Sequence, residues 1–195
     1  MKVIKKIVFP IISAFLLVKT IELIKELIAH DPQKLALIWA FLLCLYITGI
    51  FAFLGFAYAT HQLLPRRYFT LNNPRRLQRA YRSLGVKHFK KMLLWVFWGR
   101  HKNRQKYFDG SRKGLNNFVY QTKQSEVGHA TAFITILGVS LLLLLHGRVV
   151  VFVGMSIINI IGNLYPVILQ RYHRLRIERL IKRAPYFRAE VSVNN

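Results

Sequence analysis

A carboxylate and an imidazole, Glu126 and His129, stand three residues apart near the start of a long apolar run. Residues at this spacing share one face of a helix. A carboxylate beside an imidazole can orient the ring, fix its tautomer and raise its basicity, as a general base acting on a hydroxyl requires. Di-iron bundles use the same spacing, but they need a second copy and further glutamates, so no metal is expected.

A second group of polar residues lies inside the last apolar segment. At about 100° per residue, its members project within about 60° of one another on a helix: Asn159, Asn163, Gln170 and Arg174. Polar groups in hydrocarbon are costly without a partner, so this stripe marks either a functional path or hydrogen bonds that join helices. Pro166 removes a backbone donor, so we expect a bend there and a freed carbonyl at Gly162.

Four apolar stretches position these groups, because about 20 residues at about 1.5 Å each cross a hydrocarbon core of about 30 Å. The first stretch, within residues 1–34, has a basic start typical of a signal peptide, but no small-x-small cleavage site follows, which favours a retained helix. The other spans are predicted at about 35–59, 130–146 and 149–170, with a tight turn at residues 146–148 and a loop over residues 61–129. Ser125 is predicted to cap the third span.

The net charge of +23 sets the orientation of these spans. The loop at 61–129 holds sixteen lysines and arginines, and the chain from Arg171 onward holds seven more. Because short cytoplasmic segments are enriched in both residues, we expect a multi-pass protein of the cell (inner) membrane with both termini in the cytoplasm. Glu126 and His129 would then start the third span at the surface where Gln170, Arg171 and Arg174 end the fourth, and the two groups are predicted to converge.

The central loop carries two predicted helices, Arg75 to Leu84 and Val86 to Trp98. In the second, bulky apolar residues lie opposite lysines, and Trp95 and Trp98 suit the headgroup region of a bilayer. Membrane lipids with anionic headgroups are therefore expected partners, each basic residue contributing about 1 kcal/mol at most. No nucleic-acid-binding signature is visible, and no pattern indicates an oligomeric state. The predicted fold class is all-α: a polytopic membrane protein of about four transmembrane helices with an amphipathic helical cytoplasmic loop.

Three stretches resemble the glycosyl-4,4′-diaponeurosporenoate acyltransferase family, membrane enzymes that finish staphyloxanthin-type carotenoids by adding a fatty acyl chain to the sugar. They are Tyr68-Phe69, Thr122-Lys123-x-x-Glu126-x-x-His129 and Asn163-Leu164-Tyr165-Pro166-x-x-x-Gln170-Arg171-Tyr172-x-Arg174-x-Arg176. The resemblance covers about residues 45–183. An extra N-terminal span over residues 3–29 and a longer, more basic loop depart from the family pattern, so the acceptor could be a different glycolipid or polar lipid.

The resemblance implies an acyltransferase-like domain at 35–183, preceded by an added helix and turn at 1–34 and followed by a tail at 184–195. It implies transfer of a fatty acyl group to a hydroxyl of a glycosylated lipid, with Glu126 and His129 catalytic. Substrate binding is expected at Asn159, Asn163, Gln170, Arg171, Arg174 and Arg176. No cofactor is expected beyond an acyl thioester co-substrate, such as acyl-CoA or an acyl carrier protein. The alternative is a non-enzymatic membrane scaffold that binds anionic lipids; a small transporter is disfavoured because no inverted repeat is visible.

Overall fold

The computed structural model describes residues 2–30, 33–96 and 112–183, and the regular elements in these ranges are all helical, as predicted. The α-helices are α1 (Lys2–Ala29), α2 (Ala36–Ala57), α3 (Pro74–Ser83), α4 (Val86–Val96), α5 (Arg112–Leu145), α6 (Val149–Asn159) and α7 (Tyr165–Arg183). Short 3₁₀ turns occupy Gln33–Leu35, Thr60–Leu63 and Arg66–Phe69, and a π-helical turn, Ile160–Leu164, joins α6 to α7.

Four helical stretches are long and apolar enough to cross a membrane: Val3–Ala29, Ala36–Ala57, Gly114–Leu145 and Val149–Arg179. Many of their large apolar side chains face outward, among them Phe15, Leu37 and Ile134. This is the pattern of helices surrounded by hydrocarbon, and it identifies a multi-pass membrane protein. The four spans predicted from sequence are thus present.

The start of the third long helix was predicted wrongly. α5 begins at Arg112 rather than near residue 130, so Ser125 lies inside the helix and cannot be its N-cap. The reason is visible in the burial pattern, since Leu115, Thr122 and Glu126 are buried at the spacing of one helical face. Because this face is partly polar, its sequence lacks the apolar run that marks a membrane span. Glu126 and His129 therefore lie in the interior of α5 and not at its N-terminal end.

The chain forms two compact units. The first consists of Met1–Leu64 and Gln124–Val167. Its apolar core includes Leu27, Leu43, Ile136 and Met155, contributed by α1, α2, α5 and α6. α5 ends at Leu145 and α6 begins at Val149, with Gly147 between them at φ +78°, a left-handed conformation that glycine adopts without strain. The predicted turn at residues 146–148 is therefore confirmed.

The second unit consists of Pro65–Lys123 and Ile168–Asn195. Its core includes Tyr81, Val86, Leu169 and Leu175, and two apolar residues of α4, Phe89 and Leu93, pack against it. Part of the apolar face of α4 therefore packs within the unit, and the contact of this helix with lipid headgroups stays a prediction. Trp98 and the tail at 184–195 lie outside the described residues, and the domain boundaries drawn from sequence stay predictions.

Candidate functional site

The imidazole of His129 is held by an amide. In the first unit, His129 Nδ1 lies 3.0 Å from Asn163 Oδ1, and the ring also interacts with the backbone of Gly162. The His129 side chain is half-buried on α5, while Asn163 is only 1% exposed. The sequence placed these two residues in separate groups, and the structure brings them together.

Asn163 lies within the π-helical turn Ile160–Leu164, where the amide of Tyr165 donates to the carbonyl of Ile160. Such one-turn widenings of a helix are frequent at functional sites. Pro166, which follows Tyr165, has no amide to donate, and the bend predicted from it stays a prediction. The π turn places the backbone of Gly162 beside the His129 ring.

The two asparagines predicted to form a polar stripe do share a face and are both buried. Asn163 Nδ2 donates to Asn159 Oδ1 and to Thr48 Oγ1, each at 3.1 Å, and Thr48 Oγ1 also lies 3.4 Å from Asn163 Oδ1. Asn159 Nδ2 donates to the carbonyl of Phe133 at 2.9 Å. The network therefore joins α2, α5, α6 and the π-helical turn that follows α6. Thr48 was missed, because a threonine in an apolar run more often bonds only to the backbone of its own helix.

Glu126 is fully buried on α5, with 0% exposure. A buried carboxylate loses its hydration, and charged or hydrogen-bonding partners must offset that cost. The hydrogen-bond partner found for His129 Nδ1 is an amide oxygen, that of Asn163. That Glu126 holds the ring stays a prediction.

Gln124 precedes His129 on α5, and its side chain connects α5 to the end of α2 by hydrogen bonds. Its Nε2 lies 2.9 Å from the carbonyls of Gly55 and Tyr58 and 2.8 Å from Thr60 Oγ1, while its Oε1 lies 2.8 Å from His61 Nδ1. The last carbonyls of a helix have no partner inside the helix, and this amide supplies one. Sequence reasoning missed Gln124, because a single glutamine in a polar stretch carries no distinguishing pattern.

In the second unit, three cations surround one pair of aromatic rings. Tyr68 and Phe69 meet edge to face, with ring centroids 5.0 Å apart. Lys123 and Arg174 lie 5.4 and 5.5 Å from the Phe69 centroid, and Arg171 lies 5.1 Å from that of Tyr68. These distances suit cation–π contacts. The structure thus gathers members of all three sequence stretches that carried the family resemblance, and we call this group the cation–aromatic cluster.

The remaining predicted substrate-binding residues of the second unit are Gln170 and Arg176. Gln170 is half-buried, whereas Arg176 is exposed and contacts a different ring, lying 5.9 Å from the centroid of Tyr172. Arg176 also influences Lys90, whose pKa is lowered first by partial burial and second by the arginine's charge. That Gln170, Arg171, Arg174 and Arg176 act together with His129 stays a prediction.

Comparison with known proteins gives one family. The family model described as glycosyl-4,4′-diaponeurosporenoate acyltransferase (CrtO) matches residues 65–183, more than half of the chain. The match begins later than residue 45, where the resemblance was placed from the sequence, and it includes the cation–aromatic cluster, His129 and Asn163. No curated protein and no solved structure matches the chain significantly.

Proposed function

Because the chain belongs to the glycosyl-4,4′-diaponeurosporenoate acyltransferase family, we propose that it transfers a fatty acyl group to a hydroxyl of a glycosylated lipid, such as a carotenoid glycoside. The reaction would take place at the cytoplasmic face of the cell membrane. The observation that carries this proposal is the hydrogen bond between His129 and Asn163, which holds an imidazole in place within a helical unit of a membrane protein. A held imidazole is the side chain best suited to take a proton from a hydroxyl near neutral pH.

The proposed reaction transfers an acyl group from a thioester to an oxygen. His129 Nε2 takes the proton of the acceptor hydroxyl as the oxygen attacks the thioester carbonyl. The tetrahedral intermediate then collapses, the carbon–sulfur bond breaks, and the departing thiolate recovers the proton from His129. Glu126, which is buried on the same helix, is proposed to stabilise the protonated ring, and the buried Asn159 and Asn163 are its polar neighbours in the first unit. Gln170, in the second unit, is assigned to substrate binding by the family resemblance alone.

The cation–aromatic cluster is the proposed binding site for the phosphates of the acyl donor. Acyl-CoA and acyl carrier proteins both present a phosphopantetheine arm, and arginine and lysine are the usual ligands of such phosphates. Lys123 and Arg171 are half-buried, and Tyr68 and Phe69 hold their charges in place through the ring contacts. Arg176, exposed at the side of Tyr172, is assigned to the same class of ligand by the family resemblance alone.

Anionic lipid headgroups are the proposed partners of the outer face of α4. On this face Trp95 is 85% exposed and Met92 46% exposed, and Lys87 and Lys91 are exposed four residues apart on the same helix. An exposed tryptophan near lysines is typical of the boundary between water and hydrocarbon. This face also favours the alternative function, a scaffold that binds anionic lipids without catalysis.

Lipid extracts distinguish the two functions. Cells that make the wild-type protein are expected to contain a glycosylated lipid one acyl chain heavier than the corresponding species in cells without it, as measured by mass spectrometry. His129→Ala should remove the heavier species, and Glu126→Gln should reduce it. His146→Ala is the matched control, because His146 is an exposed histidine at the end of the same helix. Identical extracts with and without the protein would favour the scaffold instead.

A further inference from the structure

We infer that Asn159, Asn163 and Thr48 form a relay of hydrogen bonds that holds His129 as the tautomer protonated on Nδ1, which leaves Nε2 as the nitrogen able to accept a proton. The three relay residues are positioning residues, since they act on the substrate only through the imidazole. That Nε2 accepts a proton from a substrate hydroxyl rests on the proposed function, whereas the tautomer of the ring does not.

The direction of the relay is set by a backbone carbonyl. The carbonyl oxygen of Phe133 can only accept a hydrogen bond, so the group of Asn159 that lies 2.9 Å from it must be the Nδ2 amino group. The amide oxygen of Asn159 therefore points the other way, towards Asn163 at 3.1 Å. An inverted Asn159 amide would place two oxygens against each other at the Phe133 carbonyl, in a position shielded from solvent, because Asn159 is 2% exposed.

The amide of Asn163 is oriented by Asn159, and it in turn fixes the proton on the imidazole. Since Asn159 presents an oxygen, Asn163 must present its Nδ2 amino group, whose second hydrogen points to Thr48 Oγ1 at 3.1 Å. Thr48 is a hydroxyl that can accept this bond. The remaining atom of the Asn163 amide, Oδ1, faces His129 Nδ1 at 3.0 Å and can only accept. His129 Nδ1 must therefore carry the proton, and in the neutral ring Nε2 then carries a lone pair.

Asn163 thus orients the ring, whereas the sequence predicted that it binds substrate. Both of its amide hydrogens are directed at protein atoms, and its oxygen is directed at the ring. The π-helical turn at Ile160–Leu164 supports the arrangement, because Asn163 lies in this widened turn with Asn159 four residues before it. The relay is local to the first unit, and each of its members is a described residue of that unit.

Nitrogen-15 NMR of the full-length protein in lipid nanodiscs reads the tautomer directly, without substrate. The chain has seven histidines, so the His129 signals are identified by their loss in His129→Gln. The wild-type protein is expected to show a protonated Nδ1 and an unprotonated Nε2 at His129. Asn163→Leu should shift the ring towards the tautomer protonated on Nε2, whereas Asn163→Asp should keep the proton on Nδ1, because its carboxylate still offers an acceptor to this nitrogen.

Two further variants test the relay without touching the atom that contacts the ring. Thr48→Val removes the hydroxyl at nearly constant volume and should admit a minor population of the other tautomer, while Thr48→Ser should not. A wild-type His129 protonated on Nε2, or an unchanged tautomer in Asn163→Leu, would overturn the inference. In acyl transfer, Asn163→Leu is expected to lower kcat by about 10²-fold or more with little change in KM, because a wrong tautomer removes the base and not the binding site.

The tautomer and the proposed function can fail separately. If His129→Ala retains full acyl transfer while NMR shows the expected tautomer in the wild-type protein, the catalytic assignment is wrong and the relay stands. If His129→Ala is inactive while the wild-type ring is protonated on Nε2, the relay is wrong; His129 is then needed for acyl transfer, but not as a base acting through Nε2.

Discussion

Replacement of Gln124 by leucine is expected to lower the free energy of unfolding by about 3 kcal/mol. The side chain is 8% exposed, and its amide group contacts the carbonyls of Gly55 and Tyr58, the Thr60 hydroxyl and the His61 ring at 2.8 to 2.9 Å. Leucine has a similar volume but none of these bonds.

The magnitude follows from the hydrogen bonds that the leucine cannot make. A typical hydrogen bond contributes about 1 kcal/mol net, and the substitution removes about three well-formed ones while leaving their partners partly buried. Gln124→Glu should be at least as destabilising, because a carboxylate places negative oxygens against the carbonyls of Gly55 and Tyr58 where hydrogens had been.

The assay is equilibrium unfolding by dodecyl sulfate titration of the purified protein in mixed micelles, followed by circular dichroism. Gln121→Leu is the matched control, since Gln121 is an exposed glutamine on the same helix, and it should change stability by no more than about 0.5 kcal/mol. If Gln124→Leu behaves like this control, the amide does not stabilise the junction between α2 and α5, and the reasoning from these distances is wrong.

The remaining predictions concern stability in the same titration. Arg148→Lys should cost about 1–2 kcal/mol, because the arginine donates to two carbonyls in the last turn of α1, at 2.6 and 2.9 Å, and an ammonium group cannot make both bonds in that geometry. Gly154→Ala should cost about 1–2 kcal/mol, because a Cβ there would lie 3.0 Å from two side chains of α2, whereas Gly138→Ala, which meets open space, should gain up to about 1 kcal/mol. In the folded protein, burial and a neighbouring arginine lower the pKa of Lys90 below the 10.5 of the unfolded chain. At pH values between the folded and the unfolded pKa, the unfolded chain therefore binds more protons than the folded protein. Stability should rise with pH through that window, and Lys90→Met should abolish the rise.

The apolar helices could be predicted from sequence because their signal is a long run of one property. The span predicted at 35–59 is α2, Ala36–Ala57, and the turn predicted at 146–148 separates α5 from α6. The start of α5 could not be predicted in this way, since residues 112–129 mix polar and apolar side chains and their helical register becomes clear only when the buried face is known.

His129, Asn159 and Asn163 could be named from the sequence, but the hydrogen bonds among them could not. The spacing of three residues on one helix predicted only that Glu126 holds the His129 ring. The observed hydrogen bond joins positions 34 residues apart and depends on helix packing and on a π turn. Local spacing carries no information about either feature.

Thr48 is a member of the site that could not be identified from the sequence. Its hydroxyl lies in an apolar run without charges, where a threonine more often bonds only to its own helix backbone. Only the packing of α2 against the π-helical turn brings it to Asn163 Nδ2, at 3.1 Å. Polar residues that act through a neighbour from another helix are therefore the part of the site that sequence patterns miss.

The central claim is that this family member transfers acyl groups with His129 as its base. The most direct test is acyl transfer by the purified protein in nanodiscs, with an isotope-labelled acyl thioester as donor and a glycosylated carotenoid as acceptor, followed by mass spectrometry of the lipid product. The wild-type protein should label the acceptor, while His129→Ala, folded as judged by its wild-type unfolding midpoint, should lose at least about 10²-fold in rate. A folded His129→Ala protein with the wild-type rate would contradict the claim.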